Sequence, residues 1–155
     1  MVISAALREG IESEIARFPE PGGALLGALH AVQAEHGCVS LEAASELAGI
    51  FGRRPVEILE IVSFYNMFHE APRGQNQVYV CTSLSCSLRG ATTLLRKLEA
   101  HLGLRAGESS ADGRIHLGRE ECLGACANAP MMRVGDTYYE DLDFDHAREI
   151  LDGLS

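Results

Sequence analysis

The segment VYVCTSLSC, residues 78–86, decides the fold of the second half of this chain. Its two valines flank a tyrosine, and this period of two predicts a strand that ends at Cys81. The loop that carries Cys86 therefore leaves the end of a strand. A second segment, CLGAC at 122–126, follows another predicted strand around 115–117 and supplies a further pair of thiols.

The four cysteines of these segments form a pattern typical of a metal site. Four residues separate Cys81 from Cys86, and three separate Cys122 from Cys126. The 35 residues between the pairs are enough for a strand or helix to return the chain to the same place. Four thiolates are the ligand set of both structural zinc and iron–sulfur clusters.

The loops themselves favour an iron–sulfur cluster over zinc. Zinc loops most often use two-residue gaps, which wrap one small ion, whereas longer gaps fit the perimeter of a multi-atom cluster. Neither loop contains a histidine, and both carry small or apolar residues that limit the access of water to sulfide. A zinc-stabilised interaction module with no redox role is the alternative.

Disulfide bonds are a weaker explanation of the cysteines. Disulfide frameworks belong to small secreted domains, and residues 1–18 do not have the pattern of a signal peptide. We therefore expect a cytosolic protein with free thiols. The fifth cysteine, Cys38, has no cysteine nearby and lies at a predicted helix end, so we expect it to be a packing residue. A redox-sensing thiol is the alternative.

Composition describes an ordinary globular protein. The chain has 155 residues, of which 46% are hydrophobic and 23% are charged. This size fits one domain or two small ones. The net charge of −9 argues against nucleic-acid binding, because an acidic surface repels phosphates. No apolar run reaches the length of a membrane span, so we expect no direct membrane insertion.

Residues 1–72 are predicted to form a small helical bundle. Apolar residues recur at helical spacing in four stretches, which are separated by the Pro- and Gly-rich segment 19–23, by His36-Gly37 and by Gly52. Ser40 suits the N-cap of the third helix.

Residues 73–155 are predicted to form an α+β domain that holds the thiols at one edge. After the first strand, a helix that starts within 87–90 presents an apolar stripe. A hairpin turns across Gly135-Asp136, and a last helix follows an acidic start at 140–143. Pro130 is expected to be trans, because most X-Pro bonds are.

Some other residues attract functional hypotheses that we consider less favoured. Phe64, Tyr65 and Phe68 are expected in the core, with a docking face for a partner as the alternative. The six histidines are dispersed, so we expect them at surface or capping positions rather than in a metal site or proton relay.

Beyond spacing, the sequence resembles a known family over nearly its whole length. The segments VCTSLSCSLRGA (80–91), ECLGACANAPMM (121–132) and YYEDL (138–142), with the helical segment 36–68, resemble the 24-kDa-type iron–sulfur subunit of respiratory NADH:quinone oxidoreductase, complex I. The resemblance implies a thioredoxin-like [2Fe–2S] ferredoxin domain behind an N-terminal helical bundle. It also implies that Cys81, Cys86, Cys122 and Cys126 bind one [2Fe–2S] cluster.

The same resemblance implies a function and a partner. The chain would be an electron-transfer subunit that pairs with a larger flavoprotein, and that partner would hold FMN and bind NADH. No catalytic residue is expected in this chain, because its cluster would only exchange single electrons with the flavin. The complex would lie on the cytoplasmic side of a bacterial inner membrane. The corresponding subunit of a soluble NAD-linked formate dehydrogenase or hydrogenase is the alternative.

Overall fold

A computed structural model describes residues 2–155, and the chain forms two compact units, Met1–Pro72 and Arg73–Ser155. The first unit is helical and the second combines a sheet with helices. This architecture confirms the predicted α+β fold class, a small helical bundle followed by a mixed domain.

Four α-helices make up most of the first unit within the described residues, as the sequence predicts. Their ends carry the expected signals: the Ser40 hydroxyl accepts a hydrogen bond from the amide of Ala43, and Gly37 and Gly52 end their helices in the left-handed conformation. A short 3₁₀ turn, Pro21–Ala24, leads into the second helix. The helices are α1 (Ala5–Ile15), α2 (Leu25–His36), α3 (Leu41–Phe51) and α4 (Pro55–Phe64).

The aromatic residues at the end of α4 are not all in the core, so the prediction is wrong for one of them. Phe68 is buried and Tyr65 is half-buried, but the side chain of Phe64 is 79% exposed. Ile58 and Val62 define the buried face of α4, and Phe64 lies two residues beyond Val62. Since each residue turns the helix by about 100°, Phe64 points away from that face.

A glutamine on α2 fixes the segment that follows α4. The side chain of Gln33 donates to the carbonyl of Met67 at 2.8 Å and accepts from the amide of His69 at 2.7 Å. The carbonyl of His69 in turn accepts from the amide of Val39 at 2.7 Å. These bonds hold His69 in the interior, so the expectation of a surface position is wrong for this residue.

Cys38 lies close to the start of α3 in sequence and is buried. Burial raises the pKa of its thiol. The side chain is therefore protonated at neutral pH and behaves as a small apolar residue, in agreement with the predicted packing role.

The N-terminal segment of the described chain is attached to α3 through one carboxylate. Oxygens of Glu46 accept from the amides of Val2, at 2.6 Å, and Ile3, at 3.2 Å, and the Ile3 side chain is buried. These bonds, with that of Val2 the largest cause, hold the pKa of Glu46 below its ordinary value of 4.5.

We expect this attachment to weaken in acid. A carboxyl group with a lowered pKa in the folded state stabilises that state above its unfolded pKa, and the contribution is lost as the pH falls through the folded pKa. The thermal midpoint of Glu46→Gln should therefore lie below that of the wild type at neutral pH and converge with it in acid. A constant difference between the two proteins from neutral to acid pH would contradict this role.

The second unit contains a five-stranded sheet in the order β2-β3-β1-β4-β5. Only the neighbours β1 and β3 run parallel, and the other pairs are antiparallel. The strands are β1 (Asn76–Cys81), β2 (Glu108–Ser109), β3 (Ile115–Glu120), β4 (Met132–Val134) and β5 (Thr137–Tyr139). The helices are α5 (Leu84–Leu88), α6 (Ala91–Leu102) and α7 (Phe144–Asp152).

One face of the sheet packs on α6 and α7. The shared core consists of apolar residues from these elements and the loop before α7: Val78, Val80, Leu94, Leu95, Leu98, Ile115, Leu117, Met132, Leu142, Ala147 and Leu151. The side chain of Asp143 caps α7 by accepting from the amide of His146, which confirms the predicted acidic helix start.

The opposite face carries a stacked group around Tyr79. The guanidinium of Arg133 lies 4.7 Å from the centroid of the Tyr79 ring, and the His116 ring lies at 5.9 Å. Gly118 is required opposite the ring, because a Cβ at this position would lie 2.5 Å from it. His116 is buried here, so the predicted surface position is wrong for a second histidine.

Three local features of this unit differ from the sequence prediction. The predicted helix with a start within 87–90 is α6, which begins after Gly90, but the short helix α5 before it was not predicted. The two-residue strand β2 was not predicted. The Ala129–Pro130 peptide bond is cis rather than trans.

Candidate metal centre

Both cysteine loops leave the same edge of the sheet. Cys81 is the last residue of β1, and its partner in the parallel register is Glu120, the last residue of β3. Cys86 lies on α5, immediately after the first strand end, whereas Cys122 and Cys126 follow the second. Parallel pairing therefore brings two segments that are distant in sequence to one place.

The thiols differ in their exposure to solvent. Cys81 and Cys86 are only 2% and 1% exposed and pack with Ala91, Ala129 and Met131. Cys122 and Cys126 are exposed. No disulfide joins any of the five cysteines within residues 2–155.

Half-buried apolar residues of the second loop cover the buried thiols. Leu123 and Ala125 pack against the group that contains Cys81 and Cys86. They alternate with the exposed Cys122, Gly124 and Cys126. The loop thus places one set of side chains over the buried thiols and leaves its own two thiols at the surface.

The pKa of Cys86 depends on two neighbouring thiols as well as on burial. Burial raises the pKa of Cys86 to about 11, and the neighbouring Cys81 and, more weakly, Cys126 act in the same direction. The amide of Met131 donates to the Cys86 sulfur and opposes this rise. Without added positive charge the Cys86 thiol stays protonated at neutral pH, whereas a bound metal displaces the protons of its thiol ligands.

The donors do not form a preassembled site for a single ion. Among residues 2–155, no three His, Cys, Asp or Glu side chains converge as they would around one metal. The structure brings Cys81 and Cys126 within electrostatic reach of Cys86, and it places Cys122 in the same loop as Cys126. A donor set made only of thiols fits both zinc and iron–sulfur chemistry, so the chemistry of these residues is compatible with the predicted cluster.

Hydrogen bonds that were not predicted from the sequence fix the first loop. The amide and the hydroxyl of Thr82 both donate to the carbonyl of Glu120, at 2.8 and 3.1 Å. The hydroxyl of Ser87 donates to the carbonyl of Thr82 at 2.9 Å. Thr82 therefore ties the start of the first loop to the strand end that precedes the second. A hydroxyl residue directly after the predicted strand was the available signal.

The second loop is held by the segment that precedes α7. The amide of Asp141 donates to the carbonyl of Asn128, and the side-chain amide of Asn128 donates to a Glu140 oxygen, both at 2.8 Å. The amide of Leu142 also donates to the carbonyl of Pro130 at 2.9 Å. The acidic segment at 140–143 thus supports the cysteine loop as well as starting the helix.

The fold and the thiols together define a class of protein. A mixed sheet with helices, and two cysteine loops at one sheet edge, are the features of a small protein of the ferredoxin kind. The model of the thioredoxin-like [2Fe–2S] ferredoxin family matches residues 11–155, and the chain belongs to that family. The family match confirms the predicted resemblance to a [2Fe–2S] subunit with a thioredoxin-like ferredoxin domain.

Named relatives agree with the family match. The chain is 39% identical over 147 residues to the mitochondrial NADH dehydrogenase [ubiquinone] flavoprotein 2 of Dictyostelium discoideum, covering 93% of this chain and 60% of the relative. It is 42% identical over 137 residues to an NADH-quinone oxidoreductase subunit of Rhizobium meliloti (strain 1021), covering 88% of this chain and 82% of the relative.

A solved structure shows the same fold inside a longer chain. The match is to a crystal structure of an NAD⁺-reducing [NiFe]-hydrogenase in the air-oxidized state, with a TM-score of 0.72 and 26% identity. It covers 83% of this chain but only 22% of the hydrogenase chain.

Proposed function

We propose that this chain is an electron-transfer subunit carrying one [2Fe–2S] cluster in the NADH-oxidising flavoprotein module of NADH:quinone oxidoreductase. The observation that carries the proposal is the family match over residues 11–155, which includes all four paired cysteines. The identity with relatives named as subunits of NADH-quinone oxidoreductase supports the particular complex.

Cys81, Cys86, Cys122 and Cys126 are the residues that would hold the cluster. When bound, a [2Fe–2S] cluster accepts and releases one electron at a time. The chain supplies two sulfurs from a buried, low-dielectric position and two from an exposed loop. Leu123, Ala125 and Met131 keep water from the buried pair, and Thr82 ties the start of the first loop to the strand end before the second.

Electron transfer through a cluster requires no acid, base or nucleophile from this chain. We propose that FMN and NADH bind to a partner flavoprotein, and that this chain contributes electron transfer without catalytic residues. The assembled complex would lie at the periphery of a membrane on its cytoplasmic side. Within residues 2–155, no helix has the length and apolar character that a bilayer span requires.

A second candidate is the corresponding subunit of an NAD-linked hydrogenase or formate dehydrogenase. The likeness to the NAD⁺-reducing hydrogenase structure favours this candidate. The two candidates differ only in the catalytic subunits that accompany the chain. Co-purification separates them, because membrane-bound quinone reductase subunits indicate the first and a nickel–iron or molybdenum subunit indicates the second.

The proposed division of labour predicts the behaviour of the isolated chain. Purified, cluster-loaded protein without flavin should not oxidise NADH catalytically in the presence of an artificial electron acceptor, whereas addition of the flavoprotein partner should give turnover. Absorbance at the NADH band measures the rate. Sustained turnover by the flavin-free chain would contradict the proposal.

A further inference from the structure

An ion pair lies at the sheet edge from which the first cysteine loop leaves. One guanidinium nitrogen of Arg133 lies 3.6 Å from a carboxylate oxygen of Glu120. Glu120 is the last residue of β3, and its register partner is Cys81, the last residue of β1. Partners on neighbouring parallel strands point to the same face of the sheet, and the strands are about 4.8 Å apart. The Glu120 side chain is therefore a direct neighbour of the Cys81 side chain.

Contacts around Tyr79 establish which face carries these side chains. A Cβ on Gly118 would lie 2.5 Å from the Tyr79 ring, so these two register partners share a face. The Arg133 guanidinium stacks on the same ring. Glu120 and Cys81 each lie two residues further along their strands, and the period of two returns both to the Tyr79 face. A carboxylate, a guanidinium and the first thiol thus share the side of the sheet that faces away from α6 and α7.

The two charged groups are held in place and partly withdrawn from water. The Arg133 guanidinium lies 4.7 Å from the centroid of the Tyr79 ring and donates to the carbonyl of Gly135 at 2.8 Å. The side chains of Arg133 and Glu120 are only 27% and 20% exposed. Dissolved salt screens partly buried charges much less than exposed ones. Both charges therefore act on a redox group bound beside them.

We propose that Glu120 and Arg133 shift the reduction potential of the cluster in opposite directions. The proposal rests on the proposed function, in which Cys81 is a ligand of the cluster. Reduction adds one electron to the cluster and makes its net charge more negative, and no bond or proton on this chain changes. A neighbouring carboxylate disfavours this step, whereas a neighbouring guanidinium favours it. Glu120 therefore lowers the potential, and Arg133 raises it.

An ion pair with a purely structural role would give a different result. Loss of either partner would then loosen the same contact between β3 and β4, so both variants would alter the cluster in the same direction. The charge effect requires opposite directions. The sign of the two shifts therefore distinguishes a group that acts on the potential from one that only holds the strands.

The test is a redox titration of cluster-loaded variants at neutral pH. Dithionite supplies the electron, mediator dyes fix the potential, and the EPR signal of the reduced cluster gives the reduced fraction. The variants are Glu120→Gln, Arg133→Gln and Arg133→Lys, of which the last keeps the positive charge. Asp112→Asn and Arg114→Gln are the matched controls, because they make the same changes in net charge. Their ion pair, at 3.8 Å, directly precedes β3, and that strand is about 20 Å long.

We expect Glu120→Gln to favour reduction about tenfold and Arg133→Gln to disfavour it by a similar factor, each equal to about 59 mV for a one-electron couple. Arg133→Lys and both control variants should stay close to the wild type. Shifts of Glu120→Gln and Arg133→Gln in the same direction, or shifts no larger than those of the controls, would overturn the inference and leave the proposed function intact. A wild-type protein that binds no iron–sulfur cluster would overturn the proposed function and this inference together.

Discussion

Replacement of Cys86 by serine should remove the cluster and destabilise the second unit. A serine oxygen is a poorer ligand for iron than a thiolate, and the hydroxyl would lie in a position that is 1% exposed. We expect iron and sulfide in Cys86→Ser to fall to a small fraction of the wild-type content, and the thermal midpoint to fall as well. Cys81→Ser should behave in the same way, because Cys81 is also buried.

Variants of an exposed cysteine and of Cys38 distinguish the loss of a ligand from a packing defect. Cys122→Ser changes an exposed side chain, so it should lose the cluster with little loss of the folded structure measured by circular dichroism. Cys38→Ser changes a buried cysteine of the other unit and should keep the full iron content. A full complement of iron in Cys122→Ser would show that the proposed ligand set is wrong.

Replacement of Gly74 by alanine should cost about 3 kcal/mol of unfolding free energy, at the upper end of the cost of overpacking. A Cβ at this position would lie 2.4 Å from the carbonyl carbon of Ile115 and 2.6 Å from the nitrogen of His116. These atoms belong to the backbone of β3, so they cannot move aside as a side chain can. The amide of Gly74 also donates to the Ser109 hydroxyl, and a shift of the chain would break that bond.

Two further glycines give the matched comparison for this prediction. Gly10 lies inside α1, and apart from the backbone of its own helix and its chain neighbours nothing lies within 4 Å of the position that a Cβ would take, so Gly10→Ala should stabilise the protein by about 0.5–1 kcal/mol. Gly118→Ala meets the Tyr79 ring, which has more freedom to shift than backbone, so its cost should be intermediate. Urea unfolding followed by circular dichroism measures all three, and a wild-type midpoint for Gly74→Ala would contradict the steric argument.

The elements that were predicted well from the sequence are those with local signals at both ends. The helix α3 has the Ser40 cap at its start and Gly52 at its end, and both act in the folded chain as expected. The strand β1 and the β4–β5 hairpin were found from alternation and from the turn at Gly135-Asp136. Signals within a few residues are sufficient to predict such elements.

The features that were missed depend on tertiary contacts. The strand β2 has two exposed residues, Glu108 and Ser109, and it exists only because it pairs with His116 and Leu117 of β3. The short helix α5 was missed because five residues are too few to show a helical period in the sequence. Phe64 is an exception, because the helical period of α4 already directs a residue two positions after Val62 away from the buried face, and this local signal was overlooked.

The candidate site was likewise predicted only in part from the sequence. The pairing of cysteines in two loops follows from their spacing, and the sheet edge that collects the loops follows from predicted strands. The sequence did not predict which thiols are buried. Cys81 and Cys86 are buried whereas Cys122 and Cys126 are exposed, and this difference depends on how Leu123, Ala125 and Met131 pack over the first loop. That all four cysteines are ligands stays a prediction.

Metal and sulfide analysis of the wild-type protein tests the central claim most directly. Protein purified without oxygen should contain two irons and two acid-labile sulfides per chain, with no zinc, as a [2Fe–2S] cluster requires. After reduction with dithionite it should give the EPR signal of a single unpaired electron. Stoichiometric zinc with no labile sulfide and no signal would contradict the account and would place the chain among zinc-stabilised proteins without a redox role.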